Sequence, residues 1–197
     1  MSQSEIPALA PSVSPLRLQE RPLLWQVAAI VIGTLLLALS SRIEVPMIPV
    51  PITMQTFAVT LVGALYGWRL GALTILAWLG EAAVGMPVLA GGSAGMAHFV
   101  GPTAGYLVSF PIVAALVGWL VERGWNGNRV FLAFGAMLIG NGLCLAIGAL
   151  WLAGLIGFEK AVAFGFTPFI VGGVLKSALA AATLRLLPRA KTEQKAS

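Results

Sequence analysis

A compact bundle of six transmembrane helices, an all-α integral membrane protein, is the fold this sequence predicts. Three observations carry that expectation. The 197 residues are 58% hydrophobic and 10% charged with a mean hydropathy of +0.93, far from the balance of soluble domains. Six apolar segments can be marked, at about 23–41, 54–68, 70–85, 101–121, 130–156 and 168–187. The basic residues sort to alternate ends of those segments. Arg17, Arg21, Arg69, Arg123, Arg129, Arg185, Arg189, Lys191 and Lys195 fall on one side, nine against Arg42 and Lys160 on the other. Positive residues favour the cytoplasmic face, so both termini are expected inside a multi-pass protein of the cell's inner (plasma) membrane. The whole chain, 1–197, reads as a single membrane domain. Residues 1–20, with three prolines and no helical period, and residues 188–197 are expected as mobile tails. Arg17 and Arg21 before an apolar run resemble a signal peptide, but the run is long for one and more spans follow.

The first segment carries Ala29-xxx-Gly33, a small-xxx-small pair that lets membrane helices approach closely, and it is the expected surface for a partner protein. Gly63-xxx-Gly67, Gly67-xxx-Gly71 and Gly101-xxx-Gly105 repeat the pattern. The second and third segments are short for a crossing. Each meets a Pro/Gly/Thr-rich stretch at its outer end: SSRIEVPMIPVPIT before the second, GMPVLAGGSAG after the third. Short helices under outer loops leave room for a pocket in the outward half of the bilayer. The stretch 85–111, GMPVLAGGSAGMAHFVGPTAGYLVSFP, strengthens that expectation, because irregular backbone at membrane depth must line a cavity or lie against protein.

The polar residues inside the spans are few. Lys176 lies eight positions beyond Pro168, about 12 Å along a helix, and an ammonium there must face the bundle interior or water. An anionic ligand would supply its countercharge. Glu81 is the nearest plausible internal counter-ion. Asn141 sits in mid-span as helix glue or ligand contact. Thr53, Gln55 and Thr56 open the second segment, the threonines fitted for capping and Gln55 for a pocket. Trp78 lies deeper than the other tryptophans and suits the core. Cys144, the single cysteine, excludes an intramolecular disulfide and a CxxC site. All seven acidic residues are glutamates, which removes most metal and catalytic constellations. The net charge of +5 is spread over segment ends, not gathered in a nucleic-acid patch. Gly91-Gly92-Ser93-Ala94-Gly95 satisfies the G-x-S-x-G pattern of serine hydrolases, with His98 close behind. That pattern needs a strand–turn–helix elbow with an acid and a histidine following in order, whereas His98 comes three residues after the motif with no soluble sheet to hold it.

PVPITMQTFAVTLVGALYGWRLGAL (49–73), GMPVLAGGSAGM…VGPTAGYLVSFP (85–111) and TPFIVGGVLKSALAA (167–181) resemble, in order, the BioY family of biotin-binding membrane subunits. The resemblance implies an S component of an energy-coupling factor (ECF) transporter with six helices. Such a subunit captures biotin from outside and docks on a transmembrane coupling protein with a pair of ABC ATPases. It is not an enzyme and has no cofactor of its own. The chain has no Walker A sequence, so ATP must be used by partner subunits. By the same resemblance Ala29 and Gly33 would meet the coupling protein. For biotin, Lys176 would face the valerate, and Gly91 and Gly92 would approach the bicyclic ring. Gln55, Ser93, Thr103 or Asn141 would read the ureido group, and Tyr106 would stack or hydrogen-bond. One position departs from the family. Where an aspartate commonly stands three residues before the sixth-span lysine, this chain has Gly173. A different small anionic vitamin is the alternative substrate.

Overall fold

The computed structural model describes residues 14–186; the C-terminal tail and residues 1–13 lie outside the described residues. The helices are α1 (Leu23–Arg42), α2 (Gln55–Ala83), α3 (Ala104–Glu122), α4 (Val130–Ile156), α5 (Phe158–Ala161) and α6 (Thr167–Leu186). A π-helical turn, Val162–Phe166, joins α5 to α6 without a break in the helical path. By length and composition five helical runs are apolar enough to cross a membrane: α1, α2, α3, α4 and the run Phe158–Leu186. One departure from an all-helical chain is a small antiparallel ribbon of β1 (Glu44–Val45) and β2 (Ile52–Thr53), pairing Glu44 with Thr53 and Val45 with Ile52.

The sequence marks two segments, 54–68 and 70–85, where the structure has the single element α2. That element is broken at Gly67, whose φ of 80° and ψ of 173° are not helical. A Cβ built on Gly71 would lie 2.9 Å from the Cα of Gly63, eight residues earlier. On a straight helix that separation would be about 12 Å. The two halves therefore turn back on each other. The first half, from Gln55 to Tyr66, is only about 18 Å long at 1.5 Å per residue, well short of a bilayer core of about 30 Å.

The core lies around α2, which is enclosed far more than the peripheral α1. Val59, Val62, Ile75, Trp78, Val113, Val117 and Met137 are fully buried there. Trp78 is a core residue as expected. Its ring packs on Phe110 at 6.1 Å, and its indole N–H donates to the Val88 carbonyl at 3.2 Å. The small-residue pairs sit at internal contacts. A Cβ on Gly63 would meet the Ala114 backbone, and one on Gly105 would run into Trp151.

Ala29 and Gly33, the expected partner surface, also face inward against α2. Both are buried, the Tyr66 hydroxyl donates to the Ala29 carbonyl at 2.8 Å, and a Cβ on Gly33 would lie 3.1 Å from the Tyr66 ring. Small-xxx-small spacing reports close packing and not which helix is packed. Gly33→Leu is accordingly expected to overpack the α1–α2 contact and cost about 1–3 kcal/mol, read as a lower melting temperature in detergent. A residue serving only a partner surface would leave melting unchanged.

Of the expected N-terminal tail, residues 14–20 fall within the described residues. They carry a 3₁₀ turn at Leu18–Glu20, and Gln19 Nε2 donates to the Tyr66 carbonyl at 3.5 Å. At that same end the Glu122 carboxylate accepts from the Trp68 N–H at 3.2 Å, so it caps the second half of α2. Arg69 and Arg123 lie over the Trp68 and Trp119 rings at 4.8 and 3.7 Å. Arg42 sits at the other end of α1, donating to the Pro87 carbonyl at 2.9 Å.

Candidate functional site

The short first half of α2 leaves space near its start, and the β1–β2 ribbon folds into it. Between that ribbon, the 84–103 loop and α2, α3, α4 and α6 lies a cavity of about 550 Å³. This is within the usual range for a small-molecule site. Helical spacing builds the walls: Tyr106, Leu107 and Phe110 on α3; Asn141, Cys144 and Leu145 on α4; Phe169, Gly173 and Lys176 on α6. The ribbon adds Met47, Val50 and Thr53, and the first turn of α2 adds Gln55 and Thr56. Most of this surface is apolar.

Lys176 is 8% exposed, and its ammonium donates to the Thr53 carbonyl at 3.0 Å. It has no carboxylate partner: the one ion pair among the described residues is Arg17–Glu20, at the surface. Glu81 is not part of the cavity and does not neutralise Lys176. Gly173, where the family commonly has its aspartate, lines the wall one turn before Lys176. A Cβ there would meet only the Asn141 Cβ, at 4.0 Å. The site thus holds a buried cation without a fixed counter-ion, an arrangement that is costly unless an anion arrives.

Thr53 orients its neighbours. Its hydroxyl accepts from the Gln55 N–H at 3.2 Å and donates to Gln55 Oε1 at 3.1 Å. Asn141 is fixed in the same way: its amide N–H₂ donates to the Met137 carbonyl and to Ser177 Oγ, both at 3.0 Å, and Ser177 donates to the Gly173 carbonyl at 2.7 Å. The Met137 carbonyl can only accept, which settles the amide orientation and leaves Asn141 Oδ1 as a free acceptor.

Other expected residues are placed differently. Ser93 and Thr103 line the cavity, but their hydroxyls donate to the Ala90 and His98 carbonyls at 2.8 and 3.3 Å. Ser93 follows a 3₁₀ turn, not a strand–turn–helix elbow, so the hydrolase pattern is an accident of a glycine-rich loop. The Tyr106 hydroxyl is committed to the Gly165 carbonyl at 2.6 Å, while its ring packs against Phe169 at 6.2 Å. Gly91 and Gly92 are not in the cavity wall. Glu44 and Arg42 occupy the space a side chain would take at those two positions. Sequence reasoning overlooked Thr56 as a wall residue, together with Glu44, His98 and the 46–51 turn. A threonine at a helix start suits capping, and proline-rich turns carry no periodic signal that would point them inward.

Fold and site together define a multi-pass membrane protein with a small, mostly apolar cavity lined by a lysine that has no carboxylate partner. The chain belongs to the BioY family, whose model matches residues 12–193. That family consists of transport proteins and not of enzymes. The chain is 37% identical over 155 residues to a probable biotin transporter BioY of Pyrococcus horikoshii, covering 79% of this chain and 91% of that one. It is 40% identical over 162 residues to the biotin transporter BioY of Rhizobium etli, covering 78% and 84%. Among solved structures it is similar to the S-component for biotin from an ECF-type ABC transporter. There the TM-score is 0.70 and the identity 25%, over 82% of this chain and 89% of that one.

Proposed function

We propose that this chain is the substrate-binding S component of a biotin uptake transporter of the ECF type. In this reading biotin enters the cavity of about 550 Å³ from outside the cell and leaves to the cytoplasm once an ATP-hydrolysing ECF module is engaged. The observation that carries it is the buried Lys176 ammonium with no carboxylate within ion-pair reach. The valerate of biotin supplies the missing charge. Phe110, Leu107 and Phe169 give the bicyclic ring an apolar bed, and Asn141 Oδ1 offers an acceptor to a ureido N–H. The halves of α2 on either side of Gly67 count as two crossings, which makes six in all. Both termini then lie in the cytoplasm of a plasma-membrane protein, in keeping with Arg69 and Arg123 at one end and Arg42 at the other. The chain carries no cofactor; ATP is used by the partner ATPases, which act through a transmembrane coupling protein.

Calorimetry on the purified protein in detergent tests the reading. One biotin per chain is expected, together with a loss of biotin uptake when the gene is deleted. Absence of biotin binding would overturn it, and one-to-one binding of another anionic vitamin instead would replace the substrate while keeping the site.

A further inference from the structure

Far from the cavity, six arginines gather at one end of the bundle with two glutamates among the described residues to meet them. Contacts define that end. Glu122 joins the last turn of α3 to the break in α2. A Cβ built on Gly127 would lie 2.5 Å from the Leu184 carbonyl and 3.1 Å from the Arg185 Cα, so the α3–α4 turn packs on the end of α6. Arg17 is paired there with Glu20, and the Glu122 carboxylate is committed to the Trp68 N–H. Four of the others, Arg69, Arg123, Arg129 and Arg185, are exposed and have no carboxylate within ion-pair reach among the described residues. The opposite end has no such excess, since Arg42 and Lys160 are outnumbered by Glu44, Glu81 and Glu159.

We propose that Arg69, Arg123, Arg129 and Arg185 form a collar that binds the headgroups of acidic phospholipids. A guanidinium matches a phosphodiester, which it can grip with two parallel N–H donors. The apolar neighbours favour a lipid over an acidic protein surface. Within one turn toward the middle of the bundle, Arg69 is followed by Leu73, Arg123 is preceded by Trp119 and Arg129 is followed by Phe131, all exposed. Charge at the rim with hydrocarbon just below it is the pattern of a headgroup above its acyl chains. Two of the guanidiniums are also held in place, Arg69 over the Trp68 ring and Arg123 over the Trp119 ring, at 4.8 and 3.7 Å. Half-exposed indoles of this kind settle at headgroup level. The inference takes from the transport reading only the orientation, which makes these the lipids of the inner leaflet.

The test is tryptophan quenching of the full-length protein in mixed bilayers, with brominated acyl chains carried either by phosphatidylglycerol or by phosphatidylcholine. Trp68, Trp119 and Trp125 report from this end of the bundle. The parent is expected to prefer phosphatidylglycerol, and 1 M salt should weaken the preference. Replacing Arg129 and Arg185 together by Gln should lower it by about fivefold for each arginine removed, the effect of one basic residue near an anionic surface. Arg185→Gln alone serves if the double variant melts below the parent. Lys160→Gln, at the opposite end, should leave the preference as it is. Equal quenching by the two lipids in the parent would overturn the collar and leave an acidic protein as the occupant of this surface. A preference that survives in the arginine variants, or that falls equally in Lys160→Gln, would overturn it as well. Biotin affinity measured on the same proteins stands apart, so failure of the collar and failure of the transport reading are told apart directly.

Discussion

Lys176→Ala is expected to lower biotin affinity by about 30- to several-thousand-fold, the span of about 2–5 kcal/mol seen when one partner of a buried charged contact is removed. The magnitude follows from where the charge sits. In water a cation and a carboxylate at contact gain about 1 kcal/mol, whereas at an effective dielectric near 20 they gain about 4. Lys176 is 8% exposed and lines a mostly apolar cavity, so the stronger regime applies. The empty protein should not suffer. Its ammonium is desolvated against a single carbonyl, that of Thr53, with no carboxylate in reach, and removing it relieves that burden. The variant should therefore melt at or above the parent temperature while failing to hold the ligand. Calorimetry and thermal unfolding on the same preparation decide it, and unchanged affinity would remove Lys176 from the site. Loss of affinity with a lower melting temperature would point to a structural role instead.

How much of this was legible in the chain differs from residue to residue. Lys176 stands out because a charge in an apolar run has few affordable places. The 130–156 segment coincides with α4, since its apolar run is bounded by Arg129 and Gly157. The break between the second and third segments was visible as well, within two residues of Gly67. What sequence withheld was direction. Ala29 and Gly33 announce a close contact, but only the fold shows that Tyr66 and Thr74 of the same chain make it. Gly91 and Gly92 announce room for an approaching group, and the occupants are Glu44 and Arg42. Thr56 looks like any threonine at a helix start until its hydroxyl is found buried without a partner. Such orphans are properties of the folded state and leave no trace in composition or spacing.

Gly67→Ala is expected to be the most damaging small substitution in the bundle. With φ at 80° and ψ at 173°, Gly67 lies in a backbone region that essentially only glycine enters, and placing a side chain there costs about 1–3 kcal/mol before any contact is counted. Contacts add to that. A Cβ at this position would run into the Glu122 carboxylate and lie 2.8 Å from Gln19 Nε2. Glu122 cannot simply withdraw, because it accepts from the Trp68 N–H that opens the second half of α2. The matching control is Gly80→Ala in the same helix, where a Cβ would meet nothing within 4 Å; there melting should hold or rise, as helix propensity predicts. The consequence for function runs through length. The break at Gly67 keeps the first half of α2 short, and that shortness leaves the space into which Ile52, Thr53 and the rest of the ribbon fold to complete the cavity. Gly67→Ala should therefore lose biotin-binding capacity in proportion to folded protein, with unchanged affinity in the fraction that still folds. A shift in affinity at full stoichiometry would mean that the break tunes the site directly and is more than its scaffold.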